Sequence, residues 1–180
     1  MNFKKTEIEG LIIIEPRVFE DDRGHFFESY NKNEFSENNI NTDFVQDNQS
    51  LSQKGVLRGL HFQTPPFAQA KLIRVISGSV LDVAVDIRKE SPTYGKHHKV
   101  ILSATNKKMF FIPEGFAHGF LTLEDNTIFS YKCSNFYHTP SENSILWNDK
   151  NLNIDWNFDA PLLSEKDKEA QSFNNFITPF

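Results

Sequence analysis

From Ala70 to Arg88 apolar and polar positions alternate with a period of two. Lys71, Ile73 and Val75 fall on one side, Leu72, Arg74 and Ile76 on the other. After Ser77-Gly-Ser79, Leu81, Val83, Val85 and Ile87 alternate with Val80, Asp82, Ala84 and Asp86. This pattern predicts two antiparallel strands joined at Gly78. Shorter apolar runs at Lys99 to Leu102, Met109 to Ile112, Gly119 to Leu123 and Thr127 to Cys133 predict further strands, because turn residues separate them at Asn106-Lys107, Pro113-Glu-Gly115 and Glu124-Asp-Asn126. Earlier in the chain, Leu11 to Phe19 reads as one or two strands broken at Pro16. The tight-turn composition of Asp21-Asp-Arg-Gly24 then joins it in a hairpin to the run His25 to Tyr30. Asn31 to Glu37 suits a short helix, Asp43 to Asn48 is extended, and Ser164 to Ala170 is the best helix candidate. Evenly spaced short strands without helices between them predict an all-β sandwich or barrel with short peripheral helices. No repeat or linker divides the chain, so one domain over residues 1–180 is expected.

One run breaks the apolar logic. Gly55-Val-Leu-Arg-Gly-Leu-His61-Phe-Gln63 reads as a buried strand yet carries an arginine, a histidine and a glutamine. Strict alternation would send Arg58 and His61 to opposite faces. Gly59 lies between them, and a glycine inside a strand often marks a bulge, which here would turn both side chains toward one pocket.

Composition narrows the class. A net charge of -5 argues against a nucleic-acid-binding surface, while a locally positive cleft is still allowed. The single cysteine, Cys133, rules out an intramolecular disulfide framework and fits a cytoplasmic location. Leu11 to Ile14 is far shorter than a signal-peptide core or a membrane span, so no membrane association is expected. The 18 phenylalanines imply an aromatic-rich interior that also offers stacking faces for a flat ring.

Several residues are candidates for chemistry. An imidazole takes or gives a proton near neutral pH, which singles out His61, although a lone strand histidine is more often structural. Lys71 shares its predicted face with Ile73 and Val75, so a cation projects to the apolar side and needs a partner or a purpose; a snorkelling lysine at a strand end is the competing explanation. Tyr131 is as well explained by packing as by a role. Asp167, at the fourth position of Ser164-Glu-Lys-Asp167, matches a helix capping box. Pro113-Glu-Gly-Phe-Ala-His118-Gly resembles the second histidine motif of the cupin barrels. A cupin metal site also needs a His-x-His pair and a glutamate, whereas His61 is followed by Phe62 and Gln63 and no acidic residue lies between His61 and Asp82. Two histidines fall short of a three-ligand site, so no metal is expected. His25, His97, His98 and His138 receive no role. Dinucleotide, P-loop, zincin and serine-hydrolase motifs are absent.

Nine ordered segments together resemble the dTDP-4-dehydrorhamnose 3,5-epimerase family, nearly end to end. They are Arg23-Gly-His-Phe-Phe-Glu28, Gln46-Asp-Asn48, Val56 to Gln63, Ala68-Gln-Ala-Lys-Leu72, Asp82-Val-Ala-Val-Asp86, Ile112 to Phe120, Tyr131-Lys-Cys133, Trp147-Asn-Asp149 and Leu163-Ser-Glu-Lys-Asp167. The resemblance implies a cupin-type double-stranded β-helix, or jelly-roll barrel, that acts without metal or cofactor on a dTDP-4-keto-6-deoxy sugar in rhamnose biosynthesis. It implies that His61 is the general base, that Asp167 orients it, that Tyr131 is the acid on the opposite face of the sugar and that Lys71 stabilises the enolate oxygen. It further implies that Arg23, Phe26, Glu28, Gln46, Asn48 and Arg58 hold the nucleotide and diphosphate, with His118 in the pocket. Phe136 stands where many members carry tyrosine, so a ring remains for stacking but a hydroxyl is lost. A homodimer is also implied, with N-terminal strands crossing the interface and part of the nucleotide site supplied by the neighbour. The alternatives are an epimerase acting at one carbon only, a metal-dependent cupin and a non-catalytic sugar-nucleotide-binding barrel.

Overall fold

The computed structural model describes residues 1–180, and short strands dominate it. In chain order they are β1 (Asn2–Lys5), β2 (Ile12–Glu15), β3 (Phe19–Asp21), β4 (Gly24–Phe26), β5 (Gln46–Ser52), β6 (Leu57–Gln63), β7 (Lys71–Ser77), β8 (Ser79–Asp86), β9 (His97–Ser103), β10 (Met109–Ile112), β11 (Phe116–Thr122), β12 (Thr127–Cys133) and β13 (Glu142–Ser144). Two short helices accompany them, α1 (Lys32–Glu37) and α2 (Glu165–Lys168). No helix is long and apolar enough to cross a membrane. Antiparallel pairing builds a six-stranded sheet in the order β1-β2-β10-β7-β12-β5 and a five-stranded sheet in the order β13-β6-β11-β8-β9; β3 and β4 pair only with each other. The expected jelly roll is the observed architecture, and solved structures share it.

The two sheets bury a common interior. Ile73, Val75, Phe110 and Phe129 from the six-stranded sheet meet Val80, Ala84, Val100, Leu102, Phe116 and Phe120 from the other. Each outer face is covered in part as well. Leu152, Ile154, Trp156 and Phe176 of the C-terminal segment lie over Leu57, Leu60, Phe62, Leu81, Val83, Val85 and Leu121. Phe35 of α1 and Ile40 cover Leu72, Met109 and Phe111 on the opposite side. Asn31 starts α1 by accepting the amides of Asn33 and Glu34 at 3.1 and 3.4 Å.

The predicted pairing across Gly78 does not occur. β7 pairs with β10 and β12, whereas β8 pairs with β11 and β9, so the chain passes from one sheet to the other at Ser77-Gly-Ser79. Alternation along two strands is satisfied equally by pairing side by side and by facing each other across a sandwich, and local periodicity cannot distinguish the two. Gly78 is required at the crossing: its φ is +76° and a Cβ there would lie 2.2 Å from Thr127 Oγ1. The run His25 to Tyr30 forms a strand only to Phe26, and the helix predicted over Ser164 to Ala170 is reduced to four residues. The extended stretch expected at Asp43 to Asn48 is realised later, as β5. The short strands β1 and β13 had no counterpart in the hydropathy pattern.

Candidate active site

The break in apolar logic on β6 has a geometric basis. Against β11, His61 is opposite His118 and Arg58 is opposite Phe120, so three steps on β6 match two on its neighbour. The extra residue is a bulge at Gly59, which reverses the side-chain parity beyond it. Leu57, Leu60 and Phe62 therefore pack on the outer face while Arg58 and His61 both turn into the barrel. Gly59 has φ +141° and lies so close to β11 that a Cβ would sit 2.4 Å from Gly119 Cα. Only glycine fits there.

Arg58 and His61 open onto two connected chambers between the sheets. The inner one, of about 220 Å³, is lined by Ser50, Arg58, His61, Lys71, His118, Tyr131, Ser164 and Asp167 among others. The outer one, of about 400 Å³, adds Gln46, Asn48, Gln63, Gln69, Tyr137 and Glu142. His61 comes from the five-stranded sheet; Tyr131 and Lys71 come from neighbouring strands of the six-stranded sheet and form the facing wall. The Lys71 ammonium lies 5.9 Å from the centre of the Tyr131 ring and has no carboxylate or hydrogen-bond partner. Lys71 indeed shares its face with Ile73 and Val75, and it points into the cavity instead of snorkelling out.

His61 Nε2 is 2.5 Å from Asp167 Oδ1. Asp167 is only 2 % exposed and its other oxygen accepts the Ser164 hydroxyl at 2.7 Å. Burial would raise the Asp167 pKa, but the bonds from His61 and Ser164 outweigh it and hold the group below the usual aspartate value. An ionised Asp167 can only accept, so His61 Nε2 is the donor and Nδ1 is left with its lone pair. Burial raises the Tyr131 pKa, which keeps the phenol protonated at neutral pH, and burial lowers that of Lys71. Deeper in, His118 Nε2 lies 3.0 Å from both oxygens of the fully buried Asp82. Burial pushes the His118 pKa down while Asp82 opposes it. The site thus combines an oriented imidazole, a facing phenol and an unpaired ammonium in a partly open cleft between the sheets.

The structure gathers most of the residues singled out in the sequence. His61, Tyr131, Asp167, Lys71, Arg58 and His118 line the inner chamber, and Gln46 and Asn48 project from the inward face of β5 into the outer one. Arg58 bonds only weakly, to Ser52 Oγ at 3.3 and 3.4 Å. Three residues stand apart. Arg23 pairs with Asp21 at 2.6 Å on the β3–β4 hairpin, Phe26 is 66 % exposed beside it, and Glu28 accepts a bond from Asn31; none lines the cavity. Phe136 does not line either chamber: its ring is exposed, its carbonyl accepts Gln63 at 3.2 Å and its amide donates to Asn135 Oδ1 at 2.9 Å. The ring that does line the outer chamber is the next one, Tyr137, whose hydroxyl donates to Glu142 at 2.7 Å. Glu142 also pairs with Lys166 of α2. Glu142 and Tyr137 carried no local signal: each is a polar residue in a polar segment, and only the fold brings it to the cavity, whereas Ser164 reads in the sequence as a helix cap and the fold adds its place in the inner chamber.

Comparison with known proteins follows this geometry. The family model described as dTDP-4-dehydrorhamnose 3,5-epimerase matches residues 5–175. A Shigella flexneri protein of that description is 56 % identical over 174 residues, covering 96 % of each chain. The crystal structure of dTDP-6-deoxy-D-glucose-3,5-epimerase from Legionella pneumophila, in complex with dTDP-4-keto-L-rhamnose, superposes with a TM-score of 0.94 at 49 % identity, covering 98 % of this chain and 94 % of that one. A 3'-monoepimerase from Streptomyces bikiniensis, in complex with dTDP-quinovose, is more distant, with a TM-score of 0.88 at 34 % identity, covering 93 % of this chain and 85 % of that one.

Proposed function

The chain belongs to the dTDP-4-dehydrorhamnose 3,5-epimerase family, and we propose that His61, Asp167, Tyr131 and Lys71 perform that family's chemistry in the cavity between the sheets. It is an isomerase that epimerises C3 and C5 of dTDP-4-keto-6-deoxyglucose to give dTDP-4-keto-L-rhamnose. Both protons removed are α to the 4-keto group, so each loss yields an enolate. His61 Nδ1 takes the proton, and the electron pair moves through the new C=C bond onto the keto oxygen. Lys71 faces that developing charge as the unpaired cation of the wall. Tyr131 then protonates the carbon from the opposite face, and exchange with solvent resets both groups. The observation that carries this reading is the placing of the His61–Asp167 pair and Tyr131 on opposite sheets across one cavity.

Binding follows the same logic. Arg58, with no carboxylate partner, is assigned to the diphosphate, and Gln46 and Asn48 to the nucleotide end of the outer chamber, with His118 against the sugar. Arg23, Phe26 and Glu28 do not line their own cavity, and the separate hairpin that bears two of them, with the rings of Phe19 and Phe26 exposed on it, supports a homodimer in which they complete the neighbour's site. Sedimentation as a fully active monomer at micromolar concentration would overturn the dimer. A free, buried Cys133 supports a cytoplasmic location, which fractionation of the source cells tests.

The decisive experiment is incubation with dTDP-4-keto-6-deoxyglucose in D₂O, followed by NMR. Deuterium at both C3 and C5 with inversion is the expected result. Exchange at one carbon would narrow the activity to a monoepimerase, and tight binding without exchange would leave only a sugar-nucleotide-binding barrel.

A further inference from the structure

Ser164 and Asp167 form a helix cap, but the cap is diverted. In a capping box the acidic residue at the third helical position returns to the backbone amide of the N-cap. Here Asp167 makes no such bond. Its Oδ2 accepts the Ser164 hydroxyl at 2.7 Å and its Oδ1 meets His61 at 2.5 Å, while Ser164 Oγ accepts the Asp167 amide at 3.2 Å. We propose that Ser164 is a positioning residue for the epimerisation, locking the Asp167 carboxylate so that it holds the His61 ring with Nδ1 toward the sugar. The proposal rests on the assignment of His61 as base.

The geometry favours such a lock. The terminal torsion of an aspartate is broad; the Gly59 backbone also touches the Asp167 carboxylate, and the Ser164 hydroxyl adds an anchor on the oxygen that His61 does not hold. Helix α2 has only four residues and cannot provide rigidity alone. Asp167 is buried although Ser164 is exposed, so its carboxylate is held mainly by protein groups and the Ser164 hydroxyl is the one that reaches Oδ2 from the solvent side. Ser164 also lines the inner chamber, which places its hydroxyl within the reacting compartment.

The test compares Ser164→Ala, Ser164→Gly, Ser164→Thr and His61→Ala by C3 and C5 exchange in D₂O, together with the downfield ¹H resonance of His61 Nε2–H. Glycine is nearly as good an N-cap as serine but has no hydroxyl, so the glycine variant retains the helix start and removes only the lock. Both hydroxyl-free variants are expected to lose about 10- to 100-fold in kcat with KM little changed, the scale for a misplaced reacting group, and to broaden or lose the resonance. Threonine is expected to restore most of the rate and the signal. Wild-type kcat and an unchanged resonance in the alanine and glycine variants, beside an inactive His61→Ala, would overturn the role of Ser164 alone. Full exchange by His61→Ala would overturn the base assignment and this proposal with it.

Discussion

His61 and Asp167 are 106 positions apart in the chain and 2.5 Å apart in the structure. The contact joins a strand bulge to a four-residue helix, two features that are each unremarkable alone. Replacing the carboxylate by an amide tests the pair. Asp167→Asn retains the size but removes the charge, and an amide oriented to donate would bond the wrong ring nitrogen state. The expected loss in kcat is about 10²- to 10⁴-fold, the range of an oriented acid-base group, with dTDP affinity preserved. Steady-state kinetics and calorimetric titration with dTDP check it, and an undiminished kcat would remove Asp167 from the chemistry.

Tyr131 is expected to separate proton removal from inversion. In Tyr131→Phe the base is intact, so C3 and C5 still exchange with solvent, but reprotonation returns to the face of departure. NMR in D₂O would show deuterium with retained configuration. Inversion at the wild-type rate would assign the acid to another group.

Lys71→Met trades activity for stability. Removing the cation from the enolate oxygen is expected to lower kcat about 10²- to 10³-fold, as for other groups that stabilise a developing oxyanion. Burial lowers the folded-state pKa of Lys71, so folding is penalised wherever the ammonium must remain charged, below that pKa. The penalty fades as pH rises from the folded toward the unfolded value. Lys71→Met is therefore expected to melt at a higher temperature than the wild type at neutral pH, and to lose the alkaline fall in kcat that deprotonation of Lys71 causes. A lower Tm at neutral pH would contradict this.

Asp86 governs acid stability away from the site. It is fully buried and accepts Arg88 at 2.6 and 2.9 Å, Ser91 at 2.6 Å and Thr93 at 2.6 Å. Burial alone would raise its pKa, but these bonds bring it down from 3.8 to about 2. The folded pKa is depressed, so the stabilisation is present above the unfolded value and is lost as pH falls through the folded one. Asp86→Ala is expected to cost about 3 kcal/mol at pH 7, the upper scale for losing hydrogen bonds to a charged group, since Arg88 is partly exposed and stays solvated. Its stability should also be flatter with pH between 3.8 and about 2. Urea titrations at several pH values measure both effects.

Much of this was readable in the chain because it is written locally. Period-two runs identified the central strands, and Met109 to Ile112 and Thr127 to Cys133 appear with those bounds. A glycine between Arg58 and His61 signalled the bulge, since only a residue without Cβ tolerates that backbone and that closeness to Gly119. The nine motifs identified the family. What the residues alone could not give was partnership. Alternation on both sides of Gly78 reads as a hairpin, and only the packing of two sheets makes it a crossing. Ser164-Glu-Lys-Asp167 reads as a cap, and only the approach of β6 turns its carboxylate into a partner for His61. Tyr137 and Glu142 lie in a polar stretch like any surface segment until β13 brings them to the cavity mouth. Sequence period fixes which way a side chain faces relative to its neighbours; long-range burial decides what it faces, because that depends on segments tens of positions away competing for the same apolar surface.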